Sequence, residues 1–228
     1  MLNELRGRAD LHIHSAVGDG LATIAQILDY VEHRTDLDLI AITDHDEVRG
    51  ALEARELAAS RRRRFEVIVG TEVTTRQGHL LAYGVERRYP MLRSLRDSIA
   101  AVHDDGGFVV VPHPLSFLTT SAGRRALCRA VDCDDARRRP DAIELNRRLG
   151  LAETGGSDAH HLELIGTAWT SFPGRTAADF RAAVAARATA AGGRFWTLGD
   201  HLHGFAEQQW RSMVLAPTQK LVRAIRRP

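Results

Sequence analysis

The sequence lacks the features that indicate several common protein classes. It contains two cysteines, Cys128 and Cys133, and no Cys-x-x-Cys pair, so neither a zinc ribbon nor a disulfide framework is indicated, although one disulfide between the two stays open. No apolar run approaches the length of a membrane-spanning helix, and residues 1–6 contain no apolar leader segment. The formal net charge of +2 is too small to indicate nucleic-acid binding by itself. We therefore expect a reduced, cytoplasmic protein that forms no stable complex with nucleic acid.

What the sequence does contain is an alternation of short apolar segments with longer segments in which apolar residues have helical spacing. Strands are predicted at residues 8–15, 37–43, 65–69, 78–84, 108–111 and 142–145. Helices are predicted at residues 23–34, 48–63, 92–103, 122–131 and 176–189. Apolar strands that are each followed by a helix indicate the α/β class, with a parallel sheet buried on both faces. The 228 residues are enough for one barrel domain of this type.

Residues that bind metals collect where these strands end. His12 and His14 are two positions apart, so on a strand both imidazoles point to the same face. Such a pair alone leaves a metal site and a structural role open. The strand ends together carry His12, His14, His45, Glu72, His113, Asp158 and His160. Because (β/α) barrels place their chemistry at the carboxyl ends of the strands, this distribution predicts one shared site.

One connection does not fit a regular barrel. About nine residues separate Asn146 from Gly156, too few for a crossover helix between parallel strands. Either the barrel is locally open at this point, or a helix is missing there.

Six short motifs occur in the same order as in a known protein family. They are Asp10-Leu11-His12-Ile13-His14-Ser15 with Asp19-Gly20, Ile42-Thr43-Asp44-His45, Gly70-Thr71-Glu72, Gly78-His79-Leu80-Leu81, Pro112-His113-Pro114 and Gly156-Ser157-Asp158-Ala159-His160. Over residues 8–173 the chain thus resembles the polymerase and histidinol phosphatase (PHP) family of phosphoesterases. The resemblance implies a distorted seven-stranded (β/α) barrel, a site for three metal ions, and hydrolysis of phosphate esters.

The resemblance also implies which residues hold the metal ions. One ion would bind His12, His14, Glu72 and Asp158. A second would share Glu72 and bind His79 and His113, and a third would bind Asp19, His45 and His160. Imidazoles mixed with carboxylates favour zinc, manganese or iron. Glu72, Asp158 and His160 are the candidate catalytic residues, and Asp44 and Asp46 are expected to orient ligand imidazoles.

The predicted function is that of a metal-dependent phosphoric ester hydrolase acting on a small phosphorylated metabolite or a short nucleotide through a metal-activated water. A protein nucleophile is not expected, because the sequence has no Gly-x-Ser-x-Gly elbow. Arg147 is a candidate for binding the substrate phosphate, with a solvated loop position as the alternative. Two other functions stay open: a 3′–5′ exonuclease of the proofreading type, and a catalytically silent module that the ions only stabilise.

The C-terminal residues have no counterpart in the resemblance. We therefore predict two units, a barrel of residues 1–194 and a helical extension of residues 195–228. His201 and His203 in this extension repeat the His-x-His spacing, but no carboxylate motifs accompany them, so we do not expect them to bind metal. The aromatic and basic residues of the extension are expected to pack on the barrel, with contact to a membrane surface as the alternative.

Overall fold

The structure, a computed structural model, describes residues 5–113, 124–144, 150–194, 196, 197 and 199. The strands in this part of the chain are β1 (Leu5–Ile13), β2 (Leu39–Ile42), β3 (Glu66–Thr75), β4 (Gly78–Tyr83), β5 (Phe108–Val111), β6 (Ala142–Glu144), β7 (Ala152–Thr154), β8 (Ala168–Pro173) and β9 (Ala190–Gly193). The α-helices are α1 (Ile24–Arg34), α2 (Arg49–Ser60), α3 (Leu95–Asp104), α4 (Arg124–Val131) and α5 (Ala177–Ala185). None of these helices is long and apolar enough to cross a membrane.

The strands form one sheet that curls into a nearly closed barrel, in the order β7-β6-β5-β4-β3-β2-β1-β8-β9. Within the described residues no ladder joins β7 and β9, the two ends of the sheet, but Gly155, just after β7, contacts Thr170 of β8, the strand next to β9. The Gly155 N–H donates to the Thr170 hydroxyl oxygen, and that hydroxyl donates to the Gly155 carbonyl, both at 2.9 Å. The opening lies beside β7, which falls within the short connection between Asn146 and Gly156. Local opening was one of the two alternatives for this connection, whose residues 145–149 lie outside the described part of the chain.

The α/β prediction is confirmed, but the expected number of strands was wrong, because the sheet has nine strands and not seven. The sheet is also mixed instead of parallel, since β3, β4 and β5 pair antiparallel, as do β1, β8 and β9. Only Arg76 and Gln77 connect β3 to β4, which is enough for a hairpin and far too short for a crossover helix. The predicted helix 176–189 ends at Ala185, because Arg187 has a φ of 53° and turns the chain into β9.

The barrel interior is apolar at the end where the parallel strands begin, and α5 closes that end. Phe180 on α5 packs against Phe172, with ring centroids 5.3 Å apart, and against Phe108, the first residue of β5, at 6.0 Å. The backbone N–H of Ala177 donates to Glu66, the first residue of β3. Polar side chains are therefore confined to the opposite end, which we call the mouth.

A bulge in β1 directs the first motif toward the mouth. Ala9 and Leu11 belong to the apolar interior, but Ile13 packs outside the sheet with α1 and α2. The pairing of β1 with β2 shifts register between Asp10 and Ile13. An extra residue in one strand reverses which side chains face inward. His12 and His14 can therefore follow Leu11 on the inner face.

Candidate metal centre

All nine residues predicted as metal ligands lie together at the mouth. The rings of His12 and His14 are 5.2 Å apart, as expected for two residues on one face of a strand. Other close ring pairs are His14 with His160 at 4.2 Å and His45 with His79 at 4.8 Å. His79 stands near the start of β4, and it reaches the same edge because β4 runs antiparallel to β3.

The first group of donor atoms comprises His12 Nε2, His14 Nε2, Glu72 Oε2 and Asp158 Oδ1. Each of the two nitrogens is 3.2 Å from the Glu72 oxygen and 3.3 Å from the Asp158 oxygen. Zinc bonds of 2.0–2.1 Å in a tetrahedron place neighbouring donor atoms about 3.3 Å apart. His14 Nε2 is buried and has no hydrogen-bond partner among the described residues. The donor set and its spacing therefore fit a divalent cation.

Glu72 separates two sets of imidazoles. Its Oε2 faces His12, His14 and, at 3.4 Å, Nδ1 of His45. Its Oε1 lies 2.8 Å from Nδ1 of His79 and 3.3 Å from Nε2 of His113. A buried carboxylate whose two oxygens face two donor groups has the arrangement of a bridge between two cations.

A third group lies around Asp19. Its Oδ2 is 3.5 Å from His160 Nε2 and 4.0 Å from His45 Nε2, and its Oδ1 is 3.4 Å from His14 Nδ1. One donor atom from each of these four residues lies within 4.8 Å of the others. This group therefore contains His14 in addition to the three residues implied by the family resemblance.

Attraction between the buried imidazoles and carboxylates of the mouth shifts the pKa values of His12 and Glu72. Burial would lower the pKa of His12, but Asp158 and Glu72 outweigh it and hold that pKa well above its usual range. Burial would likewise raise the pKa of Glu72, yet His45, His12 and His79 hold it well below its usual range. Glu72 is therefore ionised. A cation that binds to His12 must displace the proton of that imidazole.

Two buried carboxylates that the sequence analysis did not single out support the ligands. Asp10 accepts hydrogen bonds from Ser157 Oγ at 2.6 Å and from Gly166 N at 2.8 Å, which ties the first motif to the last. Burial raises the pKa of Asp10 to about 6, although these bonds oppose the shift. Glu144 lies 3.5 Å from His12 Nδ1 and accepts from the backbone N–H of His113 at 2.7 Å. The available signal for Glu144 was a single charged residue inside an apolar strand.

The expected role of Asp44 was wrong. Its carboxylate accepts from the backbone N–H of Ser15 at 2.6 Å and from the Ser15 hydroxyl at 2.7 Å, so it holds the chain after His14 instead of an imidazole. Asp46 accepts from the backbone N–H of Thr74 at 2.7 Å and from its hydroxyl at 2.9 Å. Both carboxylates therefore fasten the backbone that carries the ligands.

The backbone at the mouth adopts conformations that side chains disfavour. Asp46, His113 and Asp158 have φ values of 53°, 29° and 53°. Such residues cost on the order of 1–3 kcal/mol each and persist only where neighbouring contacts hold them. Strain at two candidate ligands and beside a third, His45, is typical of a functional site.

Several predictions concern residues away from this cluster. Cys128 and Cys133 are both free, so the disulfide is absent. His103, which also lies away from the cluster, is hydrogen-bonded to Asp141 and to the carbonyl of Arg137. Arg147, His201, His203 and nearly all of the extension 195–228 lie outside the described residues, so the predictions about them and about the unit boundary stay predictions.

Sequence comparison links the chain to phosphoesterases. A family model described as PHP-associated matches residues 137–189. The chain is 37% identical over 92 residues to a phosphoribosyl 1,2-cyclic phosphate 1,2-diphosphodiesterase of Eggerthella lenta, which covers 38% of this chain and 34% of that protein. It is 35% identical over 94 residues to a 3′,5′-nucleoside bisphosphate phosphatase of Chromobacterium violaceum. This match covers 40% of this chain and 32% of that protein. The matches thus span about a third of each of these two relatives.

Structural comparison agrees. A two-domain protein from Bacteroides vulgatus that contains a predicted PHP-like metal-dependent phosphoesterase superposes with a TM-score of 0.66 at 20% identity. The superposition covers 90% of this chain and 73% of that one, which shows a common fold. The motifs, the sequence matches and this fold lead to one conclusion: the chain belongs to the PHP family.

Proposed function

We propose that this chain hydrolyses phosphate esters of small metabolites or nucleotides at a site for three divalent cations, either zinc, manganese or iron. Metal-dependent phosphoric ester hydrolysis is the class of reaction that the related proteins are named for. The observation that carries the proposal is the position of Glu72. Its two oxygens face two separate histidine groups within 3.4 Å, an arrangement that a merely structural carboxylate does not need.

The chain's own residues have distinct roles in this proposal. Divalent cations, when bound, polarise the phosphate and activate water. Glu72 would offset the mutual repulsion of two such charges, because its two oxygens face two separate groups of imidazoles. Nδ1 of His160 lies 3.0 Å from the Asp158 carbonyl, so a proton on Nδ1 leaves the Nε2 lone pair directed at the cluster. Asp158 is a quarter exposed and borders the mouth, where a substrate phosphate would enter.

Two relatives support a small substrate. By their names, one acts on a phosphoribosyl cyclic phosphate and the other on a nucleoside bisphosphate. We propose Arg147 as the residue that binds the substrate phosphate, because a guanidinium pairs with phosphate through two hydrogen bonds. Cyclic diesters and monoesters both remain within the proposed substrate class.

The experiment is a hydrolysis screen of the metal-loaded protein over phosphomonoesters, cyclic and linear phosphodiesters, and oligonucleotides. Glu72→Gln should lower turnover by about three orders of magnitude and leave the fold intact, since it removes charge without changing shape. Glu56→Gln, on the exposed face of α2, serves as the matched control and should be normal. Release of mononucleotides from oligonucleotides would favour the exonuclease. No turnover at full metal loading would favour the silent module, and normal turnover by Glu72→Gln would exclude Glu72 as a bridge.

A further inference from the structure

The peptide bond between Ser157 and Asp158 sets the direction of one candidate ligand. Asp158 has a φ of 53°, in the left-handed region that residues other than glycine adopt rarely. In this conformation its Oδ1 lies 3.3 Å from Nε2 of both His12 and His14. The orientation of this peptide plane sets φ of Asp158, the rotation about its N–Cα bond, and thereby the direction in which its side chain leaves the backbone. The position of the Ser157 carbonyl therefore matters to the donor group.

One side of this loop is fastened to β1. The backbone N–H of Ser157 donates to Asp10 Oδ1 at 3.0 Å, and the Ser157 hydroxyl donates to Asp10 Oδ2 at 2.6 Å. The N–H of Ala159 donates to the His12 carbonyl at 3.1 Å. These bonds hold the residues before and after the 157–158 peptide. The carbonyl of that peptide is held from another direction.

The indole N–H of Trp196 donates to the Ser157 carbonyl at 2.9 Å. Its ring is partly buried and packs against the apolar cluster that also contains Ile13 and Ala159. The ring is therefore anchored independently of the hydrogen bond. Trp196 belongs to the segment after residue 194, which the sequence analysis placed outside the barrel unit.

We infer that Trp196 is a positioning residue for the metal centre: by holding the Ser157 carbonyl, it keeps Asp158 in the conformation that directs its carboxylate at His12 and His14. The inference rests on the proposed function, since it concerns affinity for the cations. It extends the site by a residue that is not among the nine candidate ligands. It also means that the start of the C-terminal segment contributes to the metal centre of the barrel.

The test measures metal affinity in a pair of tryptophan variants. Trp196→Phe keeps an aromatic ring and removes the donor. Trp169→Phe is the matched control, because the indole of Trp169 donates to Ser171 within the same strand, β8. Dissociation constants for Zn²⁺ are obtained by competition with a chromophoric chelator, and the unfolding temperature is measured in EDTA. We expect Trp196→Phe to weaken Zn²⁺ binding about ten-fold, the scale seen when a group that orients a ligand is lost, with an unchanged unfolding temperature in EDTA. Trp169→Phe should bind normally.

A second variant preserves the shape of the ring. Benzothienylalanine placed at position 196 replaces the N–H with sulfur, so it should bind Zn²⁺ as weakly as Trp196→Phe and fold like the unmodified chain. Normal affinity in either Trp196 variant would overturn the inference. A loss of affinity matched by a loss of stability in EDTA would also overturn it, by assigning Trp196 a structural role. Failure of the unmodified chain to bind any of Zn²⁺, Mn²⁺ or Fe²⁺ would instead overturn the proposed function.

Discussion

The two ends of the barrel are built in opposite ways. At the mouth, imidazoles and carboxylates are buried together, and three residues have strained backbones. At the closed end, Phe108, Phe172 and Phe180 pack ring against ring, and the Tyr83 hydroxyl donates to the Leu11 carbonyl at 2.7 Å. Buried charges require partners, whereas apolar side chains gain from burial alone. The comparison indicates that the closed end stabilises the fold, whereas the mouth contains the residues of the proposed function.

The largest difference in metal content and rate should lie between a variant of the first motif and variants of the C-terminal His-x-His pair. His12→Ala should abolish hydrolysis and lower the metal content, because it removes a donor from the group formed with Glu72 and Asp158. His201 and His203 have the same spacing as His12 and His14, but no carboxylate motifs lie near them in sequence. The variants His201→Ala and His203→Ala should therefore have normal metal content and rates within about a few-fold of the unmodified chain. Elemental analysis and steady-state kinetics measure both. Loss of an ion from the His201/His203 double variant would mean that the tail completes the site.

At the closed end the effect should fall on stability. Phe180→Ala removes a fully buried ring between Phe108 and Phe172 and should lower the free energy of unfolding by about 3–5 kcal/mol. Metal content of the protein that remains folded should not change. Met91→Ala, at an exposed position, should alter stability by less than about 0.5 kcal/mol. Urea unfolding in EDTA measures both variants. Loss of bound metal from folded Phe180→Ala would contradict the separation of the two ends.

The smallest expected effect concerns His103 and Asp141, a hydrogen-bonded pair that belongs to neither end of the barrel. His103 Nε2 lies 2.8 Å from Asp141, and this hydrogen bond raises the pKa of His103 above its usual value. The pair therefore stabilises the fold fully below about pH 6.5, the ordinary histidine pKa, and loses this contribution as pH rises through the raised pKa. His103→Gln should remove that pH dependence, an effect under about 1 kcal/mol. Unfolding curves in EDTA from pH 5.5 to 9 measure it, with His33→Gln on α1 as control. Parallel pH profiles for His103→Gln and the unmodified chain would contradict the prediction.

The elements that the sequence predicted correctly are those with local causes. Thr23 and Thr176, the first residues of two predicted helices, cap α1 and α5, because each pairs with a residue three positions on, Gln26 and Asp179. The candidate ligands were recognisable because all nine stand inside short motifs, seven of them where strands were predicted to end. The antiparallel direction of β4 could not be predicted, since apolar spacing within a strand does not encode the direction of that strand. β9 was hidden for a related reason: its pairing with β8 is a long-range contact, and its small residues carry no apolar pattern.

The supporting residues of the site were hidden for the same reason. Asp10 and Ser157 are 147 positions apart in the sequence, and Trp196 and Ser157 are 39 positions apart. No periodicity relates such positions, so only the folded chain shows that they act on one loop. Glu144 gave a weak signal as a charge inside an apolar strand, but its contact with His12 could not be read from that strand alone.

The central claim is that the mouth holds three cations around Glu72, and counting the bound ions tests it most directly. Native mass spectrometry of the chain, purified without chelator and then saturated with Zn²⁺ or Mn²⁺, should show three ions per chain. In the proposal, the donor atoms around His12, those on the Oε1 side of Glu72 and those around Asp19 would each hold one ion. A single ion at saturation would contradict the account. It would mean that the donor atoms around Asp19, and those on the Oε1 side of Glu72, do not bind metal.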